Sequence, residues 1–247
     1  MMQGHDNAAR KQCSGQQGDA VTSTQRESPG DDIPTGLEAT RTYWEQRART
    51  PGSNVEKLEW THVRTQRMRF EAFLLDHDLH GRSVLDVGCG LGDLYAHLMR
   101  RGIEVEYTGY DLSPEMIRLC RARHPGVRFE SGDFLSFQPP SRFDYAIAFG
   151  IHNIRVPGGR AILEAVTRQQ FELSTIAAHV SLLTDRYSQF AARVQAWRAE
   201  EILGLSLGIT PHVALHHDYL ENDFSVTLYR QPIARSRADF VLDYGDE

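Results

Sequence analysis

The segment Val84-Leu85-Asp86-Val87-Gly88-Cys89-Gly90-Leu91-Gly92-Asp93-Leu94 runs an apolar strand into a glycine-rich turn and then into a helix. Such a turn lets a ligand come up against bare backbone. Asp111 follows Gly92 by 19 residues, at the end of Tyr107-Thr108-Gly109-Tyr110. An acid at that interval, closing the next strand, is placed to bond ribose hydroxyls. A carboxylate there has no obvious structural partner in the sequence. Together, turn and acid indicate an adenosine-containing ligand.

The spacing narrows the ligand further. A dinucleotide loop presents G-x-G-x-x-G before a pyrophosphate, whereas here the glycines read G-x-G-x-G and Asp93 stands where the third would be. Asp86 and Asp93 are poor company for a pyrophosphate. They suit ammonium and sulfonium charges, and S-adenosylmethionine carries both. An NAD-dependent oxidoreductase is the alternative in chemistry, and a protein that binds S-adenosylmethionine without turning it over is the alternative from another class.

Beyond the glycine turn, Gly150-Ile151-His152-Asn153 follows a predicted fourth strand. An unperturbed imidazole titrates near neutrality, so His152 brings a side chain able to exchange a proton or orient a ligand. Trp60, Arg64, Arg67 and Asn153 are the candidate substrate residues, with Tyr43 and Tyr187 as further flat surfaces, Trp44 in the same helical segment as Tyr43, and Arg155 as a further cation. Such arginines can hold a carboxylate bidentately, so a planar or anionic small metabolite is expected. No metal is expected: His216 and His217 point to opposite faces of a strand, and Cys13, Cys89 and Cys120 are odd in number and scattered.

These residues need a frame. Residues 1–36 have almost no large apolar side chains and read as a disordered tail. Residues 37–82 read as a helical cap of two helices around Thr50-Pro51-Gly52-Ser53-Asn54, residues 83–232 as the core, and residues 233–247 as a C-terminal tail. Strands are predicted over 83–87, 105–110, 127–130, 143–149 and 174–183, separated by helices over 91–101, 114–123 and 159–171. A helical stretch over 189–207 precedes two strands, 212–219 and 224–229. The fold class is therefore α/β, with a mainly parallel sheet covered by helices on both faces and an antiparallel strand added at one end.

Composition excludes several classes. The net charge is −6, with 27 Lys+Arg against 33 Asp+Glu, and no basic stripe supplies a nucleic-acid surface. No apolar run approaches the roughly 18 residues of a membrane span, and no secretory signal opens the chain. A soluble, cytoplasmic protein is expected. No lysine lies beyond Leu58, which removes a P-loop or Schiff-base lysine from the main body. Nothing in the sequence fixes the oligomeric state.

Over 83–230 the chain resembles the class I S-adenosylmethionine-dependent methyltransferases, in particular small bacterial enzymes of small-molecule type. Asp86 to Gly92 is similar to that family's first motif and Tyr110-Asp111-Leu112-Ser113 to its second. Gly132-Asp133-Phe134 resembles the third, and Phe143-Asp144-Tyr145 with Ala146 to Phe149 the fourth strand. The resemblance implies a Rossmann-like, seven-stranded sheet with an antiparallel C-terminal strand, and S-adenosyl-L-methionine as cofactor. Gly88 and Gly90 would admit the methionine part, Asp111 the ribose and Leu112 the adenine face, while Asp133 and the Phe134 amide read the adenine edge. Asp86, Cys89, Met116 and Phe149 complete the expected cofactor set, and the loop after the fourth strand would face the transferred methyl, which makes His152 the candidate base or substrate orienter. A methyl transfer to oxygen or nitrogen of a small metabolite is the implied activity, with no nucleic-acid or membrane partner.

Overall fold

The computed structural model describes residues 33–187 and 189–233. Its seven strands are β1 (Ser83–Val87), β2 (Glu106–Asp111), β3 (Arg128–Ser131), β4 (Phe143–Phe149), β5 (Ser174–Leu183), β6 (Val213–His216) and β7 (Asp223–Tyr229). The helices are α1 (Ile33–Arg49), α2 (Asn54–Lys57), α3 (Val63–Asp76), α4 (Asp93–Arg100), α5 (Pro114–Arg123), α6 (Gly159–Leu173) and α7 (Ala199–Leu207).

All seven strands form one sheet in the order β3-β2-β1-β4-β5-β7-β6. β1 to β5 pair parallel, and β7 runs antiparallel to both β5 and β6. The antiparallel strand thus lies one place inside the edge, with β6 outermost, and not at the end of the sheet. Alternation along the strands sends successive side chains to opposite faces. In β4, Tyr145, Ile147 and Phe149 join the cluster containing Phe70 and Phe73 of α3 and Leu94 and Leu98 of α4. Ala146 and Ala148 face Ile162 and Val166 of α6. The small alanines let α6 sit close.

The cap differs from the sequence reading in three ways. α1 begins at Ile33, so the boundary set after Gly36 falls inside a helix, and Ile33 and Leu37 pack on the α6 side of the core. A short α2 fills the predicted break, closed by a capping box between Ser53 and Glu56. Only residues 199–207 of the predicted 189–207 helix are helical, because the stretch before them is drawn into backbone pairing with β5. There Trp197 N–H donates to the Leu183 carbonyl at 2.8 Å and Asp185 N–H to the Trp197 carbonyl at 3.0 Å. The expected tails over 1–32 and 234–247 lie outside the described residues.

Helix α1 crosses the cleft at the carboxyl ends of the strands. Its first turn rests near α6, and its last brings Trp44 and Ala48 against Met116 of α5. Gly36 permits the crossing, since a Cβ there would sit 2.0 Å from the Pro157 carbonyl oxygen. Gly36→Ala is expected to lift α1 and destabilise the fold by roughly 1–3 kcal/mol, the usual cost of overpacking. An unchanged thermal midpoint in that variant would show that α1 is not seated there.

Candidate functional site

The turn after β1 holds Gly88, Gly90 and Gly92 at φ of +71°, +55° and +72°, the left-handed region that favours glycine. The N–H groups of Gly88 and Cys89 donate to the Tyr110 carbonyl at 2.7 and 3.1 Å, which ties the turn to the end of β2. Room is limited as well as conformation: a Cβ on Gly88 would lie 2.2 Å from Ile151, and one on Gly90 2.9 Å from Leu58.

Around this turn lies a cavity at the carboxyl ends of β1 to β4. Its walls include Asp86, Gly88, Cys89, Gly90, Asp111, Leu112, Met116, Asp133, Phe134 and Phe149, all ten residues expected around the cofactor. His152 and Trp60 also line it. Arg64, Arg67 and Asn153 do not. The apolar face of α3 carries Gln66, Arg69, Phe70 and Phe73, so Arg64 and Arg67 fall on the exposed side. Arg67 borders a separate depression with Arg100 and Arg123. Asn153 is used by the backbone: its Oδ1 accepts from Leu183 N–H at 3.2 Å. Arg155 is exposed, and neither Tyr43 nor Tyr187 reaches the wall.

Four carboxylates line the cavity, each in a different state. Asp86 is 3% exposed, and burial pushes its pKa up to about 7 even though the Tyr107 hydroxyl donates to it at 2.5 Å. Asp111 is not partnerless, as the sequence suggested. Its Oδ2 accepts from Gly90 N–H at 2.9 Å and its Oδ1 from Ser113 N–H at 2.8 Å. Burial raises its pKa against those two donors. Asp133 caps the single 3₁₀ turn Phe134–Ser136 through Leu135 N–H at 2.9 Å. Asp93 accepts from Asn54, Gln66 and Arg123 at 2.9, 3.0 and 2.6 Å, and these bonds overcome burial to hold its pKa below the usual value. Asp93 therefore pins α2 and α3 onto α4. Cys89 lines the cavity, but its thiol is buried beside Cys120.

His152 follows the β4 end through Gly150, at φ +72°. Its carbonyl accepts from Trp197 Nε1 at 3.0 Å, and its Nε2 is buried without a hydrogen-bond partner among the described residues. Burial pushes the ring pKa down to about 3. The imidazole is neutral across the physiological range and does not titrate near neutrality as an unperturbed ring would.

Sequence reasoning missed several residues. Trp197 was assigned to a helix, yet it lines the cavity opposite the cap. Arg69 is the arginine that turns inward, 4% exposed, and its Nε donates to Asp223 Oδ2 at 2.6 Å. Its guanidinium carbon lies 4.9 Å from the Trp60 ring centroid, so a buried ion pair between α3 and β7 backs the Trp60 wall. Helical spacing with Phe70 and Phe73 is the signal that would have found it.

Comparison with known proteins bears on this arrangement. A family model described as a methyltransferase domain matches residues 84–169. That span, about a third of the chain, is similar to a methyltransferase domain. Demethylmenaquinone methyltransferase of Deinococcus radiodurans is 37% identical over 101 residues, covering 33% of this chain and 42% of that protein. A phthiotriol/phenolphthiotriol dimycocerosates methyltransferase of Mycobacterium leprae is 43% identical over 58 residues, 23% of this chain and 22% of that one. The chain thus matches less than half the length of these relatives. Magnesium protoporphyrin IX methyltransferase from Synechocystis shares the fold at a TM-score of 0.60 and 17% identity, over 79% of this chain and 97% of that structure. The CcbJ methyltransferase of Streptomyces caelestis does so at 0.58 and 16%, over 78% and 99%.

Proposed function

We propose that this chain transfers a methyl group from S-adenosylmethionine to an oxygen or nitrogen of a small molecule. The observation that carries the reading is the glycine cradle ringed by carboxylates at the carboxyl ends of β1 to β3, whose left-handed glycines line the cavity with bare backbone. A net-cationic cofactor suits an acidic wall. Gly88 and Gly90 would take the methionine part, and Asp86 its ammonium group. Asp111 retains lone pairs beyond its two backbone donors for ribose hydroxyls, Leu112 and Met116 flank the adenine, and Asp133 with the Phe134 amide meets its edge. The names of the relatives, a demethylmenaquinone and a phthiotriol methyltransferase, support a small-molecule acceptor.

When bound, the cofactor supplies a methyl carbon on a cationic sulfur, which a nucleophile takes up by in-line displacement. The chain's part is alignment, worth roughly 7–11 kcal/mol when two reactants are held in a reactive geometry. Phe149, Trp60 and Trp197 exclude water from the acceptor side. His152 offers an uncharged imidazole to the acceptor's O–H or N–H. The described residues include no helix long and apolar enough to cross a membrane, and a reducing, cytoplasmic setting fits the free thiols of Cys89 and Cys120.

Calorimetry tests the assignment. Asp111→Ala should weaken S-adenosylmethionine binding by about 1.5–3 kcal/mol through loss of charge-assisted bonds. Affinity equal to the parent protein would remove Asp111 from the site. Labelled cofactor incubated with a size-fractionated cell extract should place label in the small-molecule fraction, and label confined to protein or RNA would overturn the acceptor class.

A further inference from the structure

Sheet order divides the cavity into two halves. The strand order reverses between β1 and β4, and ligands in such sheets bind at that switch point. The β1–β3 side carries the glycine turn, Asp111 and Asp133. The β4 side is closed by His152, Ile154, Val156, Trp60 and Trp197, and it is the space left for the acceptor. We infer that this half selects an uncharged or cationic acceptor with a flat or branched apolar body and rejects anionic acceptors. The inference rests on the proposed methyl transfer and, of the expected planar or anionic metabolite, keeps the planar case and sets aside the anionic one.

The charge inventory carries the argument. Every charged side chain lining the whole cavity is a carboxylate, namely Asp86, Asp93, Asp111 and Asp133, and among the described residues no lysine or arginine lines it. The nearest inward arginine, Arg69, is occupied by Asp223 and by the Thr65 carbonyl, accepting at 2.6 and 3.0 Å, and it lies behind Trp60. With S-adenosylhomocysteine bound, an acidic group on the acceptor would leave water for apolar walls without a counter-charge from the protein, the situation that makes buried charge costly. It would also face the field of the carboxylates. An amine or a neutral hydroxyl meets neither penalty, and tryptophan faces favour cations.

The β4 side presents little else that is polar. Trp197 Nε1 is spent on the His152 carbonyl, and of the five side chains that close this half the His152 imidazole is the one that can accept a hydrogen bond, the Trp60 indole N–H being a donor only. One O–H or N–H on the acceptor therefore has one clear partner, while the remainder of the molecule is selected by shape and apolarity. This arrangement also explains why an arginine need not sit on the cap: α3 directs Arg64 and Arg67 outward and buries Arg69 in an ion pair.

The test is a fragment screen on the full-length protein saturated with S-adenosylhomocysteine. It uses ring compounds in matched neutral, amine and carboxylate forms, with binding read by tryptophan fluorescence and by ligand-observed magnetic resonance. Neutral or amine members should bind at least tenfold tighter than their carboxylate partners. Ile154→Arg, checked for folding by its thermal midpoint, should reverse the order for the same scaffolds. Carboxylate members that bind the parent protein as well as or better than their partners would overturn the inference, as would a screen without a neutral or amine binder. Failure of S-adenosylhomocysteine itself to bind is read separately by calorimetry beforehand, and that result would strike the methyltransferase reading instead of this one.

Discussion

S-adenosylmethionine is expected to bind this chain more weakly below pH 7, by a factor that approaches tenfold per pH unit, so that affinity falls roughly fiftyfold from pH 7 to pH 5. The cause is Asp86. Burial raises its pKa to about 7, and the negative charges of Asp111 and Asp93 add to that, while the Tyr107 hydroxyl works against it. Below neutrality the free protein carries a proton there. A cationic ligand facing Asp86 favours the carboxylate, so binding must expel that proton. Calorimetry in buffers of different ionisation enthalpy should report close to one proton released at pH 6. Asp86→Asn should bind weakly at every pH, with the pH slope gone. A pH-independent affinity from 5 to 8 in the parent protein would show that Asp86 does not meet the ligand.

The same residue sets a stability signature. An unfolded Asp titrates near 3.8 and the folded one near 7, so its contribution is favourable at low pH and is lost as pH rises through 7. Complete ionisation opposes the fold by on the order of 4 kcal/mol. His152 acts with the opposite sign. Unfolded it takes a proton below about 6.5, and folded only near 3, so stability falls as pH drops through that interval. Asp86→Asn should therefore raise the thermal midpoint of the free protein at pH 8 while weakening binding, a trade of function against stability.

How much of this was visible in the sequence depends on whether the information was local. Ser83–Val87, Pro114–Arg123, Phe143–Phe149 and Ser174–Leu183 were readable to the residue, because each is bounded by strong local signals. Ser113 caps α5 through the Met116 N–H at 3.2 Å, with Pro114 at its first position, and the sequence alone shows that pairing. The ten residues expected around the cofactor come together on one cavity wall because they sit at fixed offsets from strand ends. The acceptor half was not legible from such offsets. Trp197 reaches the cavity only because its stretch pairs with Leu183, a contact between segments fourteen residues apart that no periodicity encodes. Arg64 and Arg67 point outward while Arg69 turns inward, and it is Asp223, 154 residues away, that makes burial of Arg69 possible. The order of the last two strands was likewise long-range: a hairpin signal fixes that β6 and β7 pair, but not which of them meets β5.

The largest effect on turnover is expected at His152. Its ring is held by contacts other than its own: Gly150 turns the chain, Trp197 Nε1 binds the His152 carbonyl, and the Asn153 side chain fastens the next residue to Leu183 N–H. Positioning of that kind, with Nε2 left unpartnered, suits a group that meets the acceptor. His152→Ala should lower kcat by roughly 10- to 100-fold, the loss of one buried hydrogen bond to the acceptor worth about 1–3 kcal/mol, while cofactor affinity stays within about twofold, since the glycine cradle and Asp111 are untouched. The pH profile separates this role from that of Asp86. A ring that stays neutral down to about pH 3 gives kcat no acid limb of its own between pH 5 and 8, whereas kcat/KM for the cofactor should climb to a plateau above 7 as Asp86 ionises. Any limb that remains in kcat then belongs to the acceptor and should move when a substituent changes the acceptor's own pKa. Turnover that survives in His152→Ala at every pH would leave alignment alone carrying the reaction and would reduce His152 to a part of the loop.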